Sequence, residues 1–357
     1  MRSWLDDLVR LRERNTAAVV VTVVSAKGSV PRGPGTKMIV TATDVLGTIG
    51  GGHLELQAIG IARDQLATQS AGESLRRFPL GASLGQCCGG LVNLLFEPIN
   101  GDVRWLRTAH ELHRGGVPFV LVSPTCGMQD TSKAIVTADY IDDPARLLGA
   151  SALAVIRDHL ARGENPRWWC LDEGADAKAF FLDTISPCDF EIALFGAGHV
   201  GRALVRVLAD VDCKITWIDA RAEEFPRHVP TNVDIVCADA PEAEVDAAPP
   251  GTYFLVMTHS HPLDEAICAR ILRRDDFAYF GLIGSLPKRR QFEKRLEQRG
   301  MPRARFAAMT CPIGIAGIPG KEPATIAIAV AAELLRAHAR FAARSTAVPM
   351  PTSTQIA

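Results

Sequence analysis

The strongest hydrophobic pattern in the chain runs from Glu191 to Asp219. An apolar run of strand length leads into a glycine-rich turn, apolar residues then recur at helical spacing, and a second apolar run follows. The turn has the spacing GxGxxG, with glycines at Gly196, Gly198 and Gly201. This succession of strand, glycine turn, helix, strand and acid predicts a dinucleotide-binding βαβ unit.

Each glycine has its own role in such a unit. Gly196 makes the tight turn, Gly198 lets the backbone approach a pyrophosphate, and Gly201 lets helix and strand pack closely. Asp219 is the acid that ends the pattern. These residues are candidate cofactor contacts, but the cradle suits any pyrophosphate and does not identify the ligand.

The pattern continues as alternating strands and helices, which predicts a doubly wound parallel sheet, Rossmann-like, in the C-terminal half. The further strands are predicted at Val233–Cys237, Tyr253–Thr258, Tyr279–Ile283 and Arg305–Thr310, and a last long helix at Ala324–Ala343.

Ligands of such sheets lie outside the carboxyl ends of the strands, where three loops of this chain fall. The first, Thr258–Asp264, contains two histidines, for which a metal site and an ordinary loop are both open. In the second, Ser285 and Lys288 stand at a helix start beside further cations, which could hold a phosphate. The third runs from Cys311 to Pro323.

The N-terminal half predicts a mixed α/β module. A helix capped by Ser3 ends near Asn15, and a second helix runs through Leu54 and Ala62. Strands are predicted at Ala18–Ser25, Met38–Thr41, Val45–Ile49, Leu91–Phe96, Val117–Ser123, Ala134–Ala138 and Ala179–Ile185, with helices near Val103–Arg114 and Pro144–Arg162.

The domain boundaries follow from these elements. We expect the N-terminal module over residues 1–188, the Rossmann-like domain over 189–343 and a disordered tail over 344–357. Ser186–Asp189 is the predicted connection.

Two glycine-rich loops of the N-terminal half are candidate anion sites. The loop from Gly28 to Lys37 is either a connection with solvated charges or a cradle of N–H groups flanked by Arg32 and Lys37. In the second loop, Gly51, Gly52 and His53 open a helix, and such N–H-rich helix starts bind anions. His53 alone is also typical of a helix cap.

The segment Leu84–Gly90 places Gln86, Cys87 and Cys88 between glycines. Thiols on a pliable loop among backbone donors can be exposed and partly ionised, although two small buried residues at a tight turn are the alternative. Adjacent side chains of an extended segment point to opposite sides, so we expect Cys87 to face a ligand and Cys88 to turn inward.

Composition excludes several classes of protein. The net charge of −1, from 39 basic and 40 acidic residues, gives no field that would recruit nucleic acid or an anionic membrane. No apolar run approaches the roughly 18 residues that span a bilayer. The nine cysteines form no CxxC pair, which argues against a disulfide framework or zinc ribbon and favours a reducing cytoplasm.

Several strings together resemble the XdhC/CoxI family, the xanthine dehydrogenase accessory proteins. They are GSVPRGPGTKM at Gly28–Met38, GGGHLE at Gly50–Glu55, LGQCCGG at Leu84–Gly90, and the later FGAGHVG, THSHPLD, GLIGS with KRR, and CPIG with GKEPATIA. Two positions depart from the family pattern. Leu56 stands where an aromatic residue is common, and Leu91 where a basic residue often occurs.

The resemblance implies a chaperone, not an enzyme, that binds the molybdenum cofactor in its molybdopterin or dinucleotide form. Such a chaperone shelters the cofactor during sulfuration and delivers it to an apo molybdenum hydroxylase such as xanthine dehydrogenase. A cysteine desulfurase as sulfur donor and a homodimer are also implied. Within this reading Cys87 is a possible molybdenum ligand and Gln86 a hydrogen-bonding amide.

Two other classes compete with this interpretation. An NAD(P)-dependent oxidoreductase would use the GAGHVG turn and Asp219, but hydride transfer would give Cys87 and Cys88 no function. A silent docking scaffold would make every loop structural, and it explains the density of motifs poorly.

Overall fold

The computed structural model describes residues 3–68, 74–80, 89–99, 103–125, 133–170 and 179–345. These residues form two compact units, which divide between Pro187 and Cys188. None of the described helices is both long and apolar enough to cross a bilayer.

The first sheet of the N-terminal unit is antiparallel. Its strands are β1 (Val19–Lys27), β2 (Lys37–Val40), β3 (Val45–Gly47), β4 (Ser74–Pro79) and β5 (Leu91–Pro98), in the order β3-β2-β1-β5-β4. Helix α1 (Trp4–Glu13) begins at the predicted Ser3 cap, and α2 (Gly52–Ala67) covers one face of the sheet. Leu54, Ala58 and Ala62 of α2 are buried against that face, as their spacing predicts.

The second sheet of this unit is also antiparallel. Its strands are β6 (Phe119–Pro124), β7 (Ala134–Val136), β8 (Ile141–Asp142), β9 (Arg167–Cys170) and β10 (Ala179–Ile185), in the order β8-β7-β6-β10-β9. It is accompanied by α3 (Arg104–Arg114) and α4 (Ala150–Ala161).

Two buried lysines join the two sheets. The Lys37 ammonium on β2 lies 2.6 Å from the Asp183 carboxylate on β10. Lys133, just before β7, donates to Glu97 on β5. Because removing one partner of a buried ion pair strands the other charge, these pairs fix how the sheets face each other.

The predictions for this unit missed three short strands and one helix boundary. Strands β4, β8 and β9 lack a clear alternation of apolar residues. The helix predicted from Pro144 begins only at Ala150, because the Asp143 side chain accepts the N–H groups of Leu147 and Leu148 and holds them in a turn.

The C-terminal unit is built on a parallel sheet. Its strands are β11 (Glu191–Phe195), β12 (Lys214–Asp219), β13 (Val233–Cys237), β14 (Tyr253–Val256) and β15 (Tyr279–Leu282), in the order β13-β12-β11-β14-β15. The helices are α5 (His199–Val207), α6 (Glu244–Ala247), α7 (His261–Ile271), α8 (Leu286–Gln298) and α9 (Pro323–Ser345), with 3₁₀ turns at Ala222–Glu224, Pro241–Ala243 and Arg303–Ala308.

Alternate residues of the central strand β11 enter two different cores. Ile192 and Leu194 pack with α5 and α9, whereas Ala193 and Phe195 pack with α7 and α8. Helices therefore cover both faces of the sheet, which confirms the doubly wound, Rossmann-like prediction.

The strand predicted at Arg305–Thr310 is wrong. Residues Arg303–Ala308 form a 3₁₀ turn in which Phe306 is buried and Ala307 is exposed, so the segment presents no apolar face to a sheet. Only Thr310 pairs with the sheet, through an isolated bridge to Gly281.

Candidate functional site

The loop after β1 meets the glycines that follow the cysteine pair in the sequence. A Cβ atom added at Gly90 would lie 2.4 Å from the Ser29 carbonyl oxygen and 2.8 Å from that of Lys27. Only glycine permits so close an approach of two backbones. The segment that leads into β5 is therefore seated directly on the start of the Gly28–Lys37 loop.

The same loop meets the glycine turn before α2. Gly50 has a φ angle of +120°, and a Cβ atom there would lie 2.4 Å from the Cβ of Pro31. Gly50 and Gly90, which belong to two other glycine-rich strings far apart in the sequence, thus both contact the Gly28–Lys37 loop.

The two predicted cations of this loop have different surroundings. Arg32 is exposed. Lys37 turns inward, where its ammonium donates to Asp183 and to the Gly35 carbonyl and lies 4.9 Å from the centre of the Trp4 ring. Of the two, Arg32 is the one placed to meet a ligand from solvent.

The turn before α2 is closed by an acid that the sequence interpretation did not use. The Glu55 carboxylate accepts the N–H groups of Ile49 at 3.0 Å and Gly51 at 3.1 Å, and the hydroxyl of Thr48. The signal for this role was an acid in the first turn of a helix. Gly52 and His53 are exposed, and the His53 Nε2 lies 3.1 Å from the amide nitrogen of Gln57.

Gln86, Cys87 and Cys88 lie outside the described residues. Within the described ranges, no group of three or more His, Cys, Asp or Glu side chains is arranged to hold a metal ion. The two histidines of the Thr258–Asp264 loop, His259 and His261, are exposed.

In the C-terminal unit, packing of the loop itself requires two of the three fingerprint glycines. A Cβ atom at Gly196 would lie 2.4 Å from the Met257 carbonyl oxygen, and one at Gly201 would lie 2.2 Å from the Gly196 carbonyl oxygen. Gly198, just before α5, would meet nothing within 4 Å. The open space at this helix start is where a phosphate group would approach.

The acid at the end of β12 is already engaged. Asp219 is buried, and its Oδ2 accepts the Ala197 N–H at 2.7 Å while Arg221 donates three hydrogen bonds to the carboxylate. Burial opposes ionisation, but the bonds from Arg221 and Ala197 outweigh it and lower the pKa of Asp219. Asp219 therefore clamps the glycine turn.

Two family models match the chain. The XdhC Rossmann domain matches residues 192–334, and the XdhC and CoxI family matches residues 11–79. Together they span more than half of the sequence. The chain belongs to the XdhC and CoxI family.

Relatives of this XdhC/CoxI family member include one of similar overall fold. A Bacillus halodurans protein whose crystal structure is described as a xanthine dehydrogenase matches with a TM-score of 0.71 at 20% identity, over 94% of this chain and 96% of that one. The uncharacterized protein YqeB of Escherichia coli K12 is 28% identical over 148 residues. That match covers 41% of this chain but only 27% of the YqeB sequence.

The GLIGS string ends at Ser285, which caps α8, and the lysine of the following KRR string points inward. Ser285 accepts the N–H of Lys288 at the start of α8. The Lys288 ammonium donates to Asp264 and, at 2.9 Å, to the Ile283 carbonyl. The Lys288–Asp264 ion pair thereby links the KRR and THSHPLD strings, and the lysine charge faces the protein interior.

One departure from the family pattern falls on the surface. The Leu56 side chain is 66% exposed on α2, so its replacement of an aromatic residue changes the surface rather than the core. The other departure, Leu91, is half-buried at the start of β5.

Proposed function

We propose that this XdhC/CoxI family protein binds the molybdenum cofactor as cargo and takes part in the maturation of a molybdenum hydroxylase such as xanthine dehydrogenase. It shelters the cofactor while the metal gains a terminal sulfur and then releases it to the apo-hydroxylase. The role is that of a cytoplasmic carrier rather than a catalyst.

The observation that carries this proposal is the convergence of the glycine-rich strings in the N-terminal unit. Gly90, the last glycine of the LGQCCGG string, lies on Ser29, and Gly50 lies on Pro31 next to exposed Arg32. A phosphate-bearing cofactor with a sulfur-ligated metal needs N–H groups and cations for its phosphate and soft groups near its metal. The chemistry of these strings matches both needs.

Cys87 is the proposed molybdenum ligand or sulfur carrier, with Gln86 as a hydrogen-bonding neighbour. A thiolate is a soft ligand, and nearby N–H donors and cations favour its ionisation. We propose a cysteine desulfurase as the sulfur donor and a homodimer as the resting assembly.

The engagement of Asp219 argues against the dehydrogenase alternative. An NAD-binding Rossmann unit uses this acid to bind the ribose hydroxyls. Here the carboxylate instead accepts the Ala197 N–H and three bonds from Arg221. NAD would have to displace these charged contacts before its ribose could bind.

The direct test is chemical analysis of the full chain purified from a host supplied with molybdate. We expect molybdenum, phosphorus and pterin to copurify and the loaded protein to activate an apo-hydroxylase. Protein that carries no molybdenum and takes up no cofactor in vitro would overturn the proposal.

The cysteine pair provides a matched comparison within that test. Cys87→Ser keeps the size of the side chain but removes the soft ligand, so bound molybdenum should fall while the thermal midpoint stays the same. Cys88→Ser should affect the midpoint more than the metal content. A Cys87→Ser protein with its full load of cofactor would exclude Cys87 as the ligand.

A further inference from the structure

An open cleft of about 530 Å³ lies in the N-terminal unit, between the first sheet and strand β9. Its volume falls within the usual range for small-molecule sites. It is lined by Pro34 of the Gly28–Lys37 loop and by Leu91, the residue after Gly90. The cleft therefore borders the segment on which the glycine-rich strings converge.

The floor of the cleft is a row of polar side chains across three strands. Asn93 on β5 pairs with Ser25 on β1 and with Arg77 on β4, so all three project from the same face of the sheet. The Asn93 amide donates to the Ser25 hydroxyl at 2.7 Å. A β-bulge between Val23 and Ser25 sets this register.

Among the described residues that line the cleft, three are cations and none is acidic. They are Lys27, Arg77 and Arg167, and all three side chains are exposed. Arg167 has a loose ion pair with Glu164 at 3.4 Å. Within the described ranges, Lys27 and Arg77 have no ion-pair partner, so their charges are available to an anion.

An aromatic wall completes the cleft. Trp168 on β9 is 39% exposed, and its indole N–H donates to the Thr125 hydroxyl at 2.9 Å. This bond fixes the orientation of the ring without covering it. A fixed and accessible indole offers a stacking surface to a planar heterocycle.

We propose that this cleft binds a planar heterocycle that carries a phosphate, and, resting on the proposed function, that it holds the pterin and phosphate end of the cargo. Arg77 and Arg167 bind the phosphate, since planar guanidinium groups suit its oxygens. Trp168 stacks on the pterin, and Asn93 offers an amide to its polar edge.

The test is titration of the full chain with a fluorescent pterin monophosphate, followed by fluorescence polarisation. Inorganic phosphate, the unphosphorylated pterin and AMP are titrated in parallel. We expect the pterin monophosphate to bind more tightly than any of the three, because it alone engages both the cations and the indole. Equal binding of AMP would overturn the assignment to a pterin.

Three variants locate the site. Arg77→Gln and Arg167→Gln should each weaken the pterin monophosphate about tenfold, the usual effect of one lost charged hydrogen bond. Trp168→Leu should weaken it by a similar factor without changing the affinity for inorganic phosphate, and Trp168→Phe should restore most of the loss. Arg107→Gln, at an exposed cation of α3 outside the cleft, is the control.

The outcomes separate this inference from the proposed function. If all cleft variants bind the pterin monophosphate as the wild type does, the cleft is not the site, although copurified molybdenum would still support a carrier. If the wild-type protein binds no pterin monophosphate, the inference is overturned whatever its molybdenum content. Absence of both ligand and molybdenum would overturn the inference and the proposed function together.

Discussion

The Asp264 carboxylate and the Lys288 ammonium lie 2.7 Å apart, although the two residues are 24 positions apart in the sequence. The Asp264 side chain is fully buried, and Thr258 donates both its N–H and its hydroxyl to the same carboxylate. Loops that follow β14 and β15 are therefore held by one charged network. The sequence indicated Lys288 as a phosphate contact, a role that stays a prediction, but its charge is already balanced from within.

Breaking this pair should destabilise the C-terminal unit. Asp264→Asn would leave the Lys288 ammonium without its counter-charge, which typically costs about 3–5 kcal/mol of unfolding free energy. We expect a lower denaturant midpoint for this variant in urea unfolding.

The control is Glu297→Gln, which removes the partner of exposed Arg303 in the same unit. Exposed pairs contribute at most about 1 kcal/mol, so this change should be close to neutral. If both substitutions lowered the unfolding free energy equally, the buried Asp264–Lys288 pair would stabilise the unit no more than an exposed ion pair does.

Substitutions at Gly196 and Gly198 should distinguish a glycine that packing requires from one that leaves space for a ligand. Gly196→Ala places a methyl group against the Met257 carbonyl at a positive φ angle, and the overpacking alone should cost about 1–3 kcal/mol. Gly198→Ser enters open space and supplies a good helix cap, so the unfolding free energy should hold or rise slightly. Chemical denaturation of both variants checks this, and a large loss for Gly198→Ser would contradict the geometry.

The Asp219 clamp should give a pH-dependent contribution to stability. Its folded-state pKa is lowered, so the stabilisation is complete above the unfolded pKa, near 3.9, and is lost as pH falls through the lower folded value. The difference in unfolding free energy between wild type and Asp219→Asn should be constant from pH 7 to about 5 and shrink below about 4. Asp210→Asn, at an exposed position, is the control. A difference that stayed constant down to pH 3 would exclude this linkage.

The sequence predicted the elements whose apolar residues recur regularly. Strands β13 and β10 have the predicted bounds, and the cap at Ser3 is present, because apolar runs of strand length and helix capping are local signals. Strand β9, with the sequence RWWC, was not predicted because three of its four residues are exposed and it shows no apolar face. Its place depends on pairing with β10, a contact that no local pattern encodes.

The site was predictable in its residue types but not in its geometry. Glycine spacing indicated the loops. The close contact of Gly90 with the Ser29 carbonyl, however, depends on the register of β1 with β5. The inward turn of Lys37 depends on Asp183, which lies 146 residues further along the chain. Trp168 gave no signal at all, because a tryptophan in a short strand is more often a packing residue.

The last prediction concerns NAD. Because Asp219 is held by Ala197 and Arg221, the wild-type protein should show no saturable NAD binding in the micromolar range by calorimetric titration. Saturation at micromolar NAD would restore the dehydrogenase interpretation.

The Arg221→Met variant tests the reason for this expectation. The substitution removes the side-chain bonds to Asp219 and leaves the Ala197 N–H on Oδ2 and the Arg221 backbone N–H on Oδ1, so the second lone pair of Oδ1 can accept a ribose hydroxyl. One such bond to a charged acceptor is worth about 1.5–3 kcal/mol, so the gain in NAD affinity should be at least roughly tenfold and at most roughly 150-fold. If NAD binding is equally absent in the variant, the side-chain bonds from Arg221 to Asp219 are not what excludes the nucleotide.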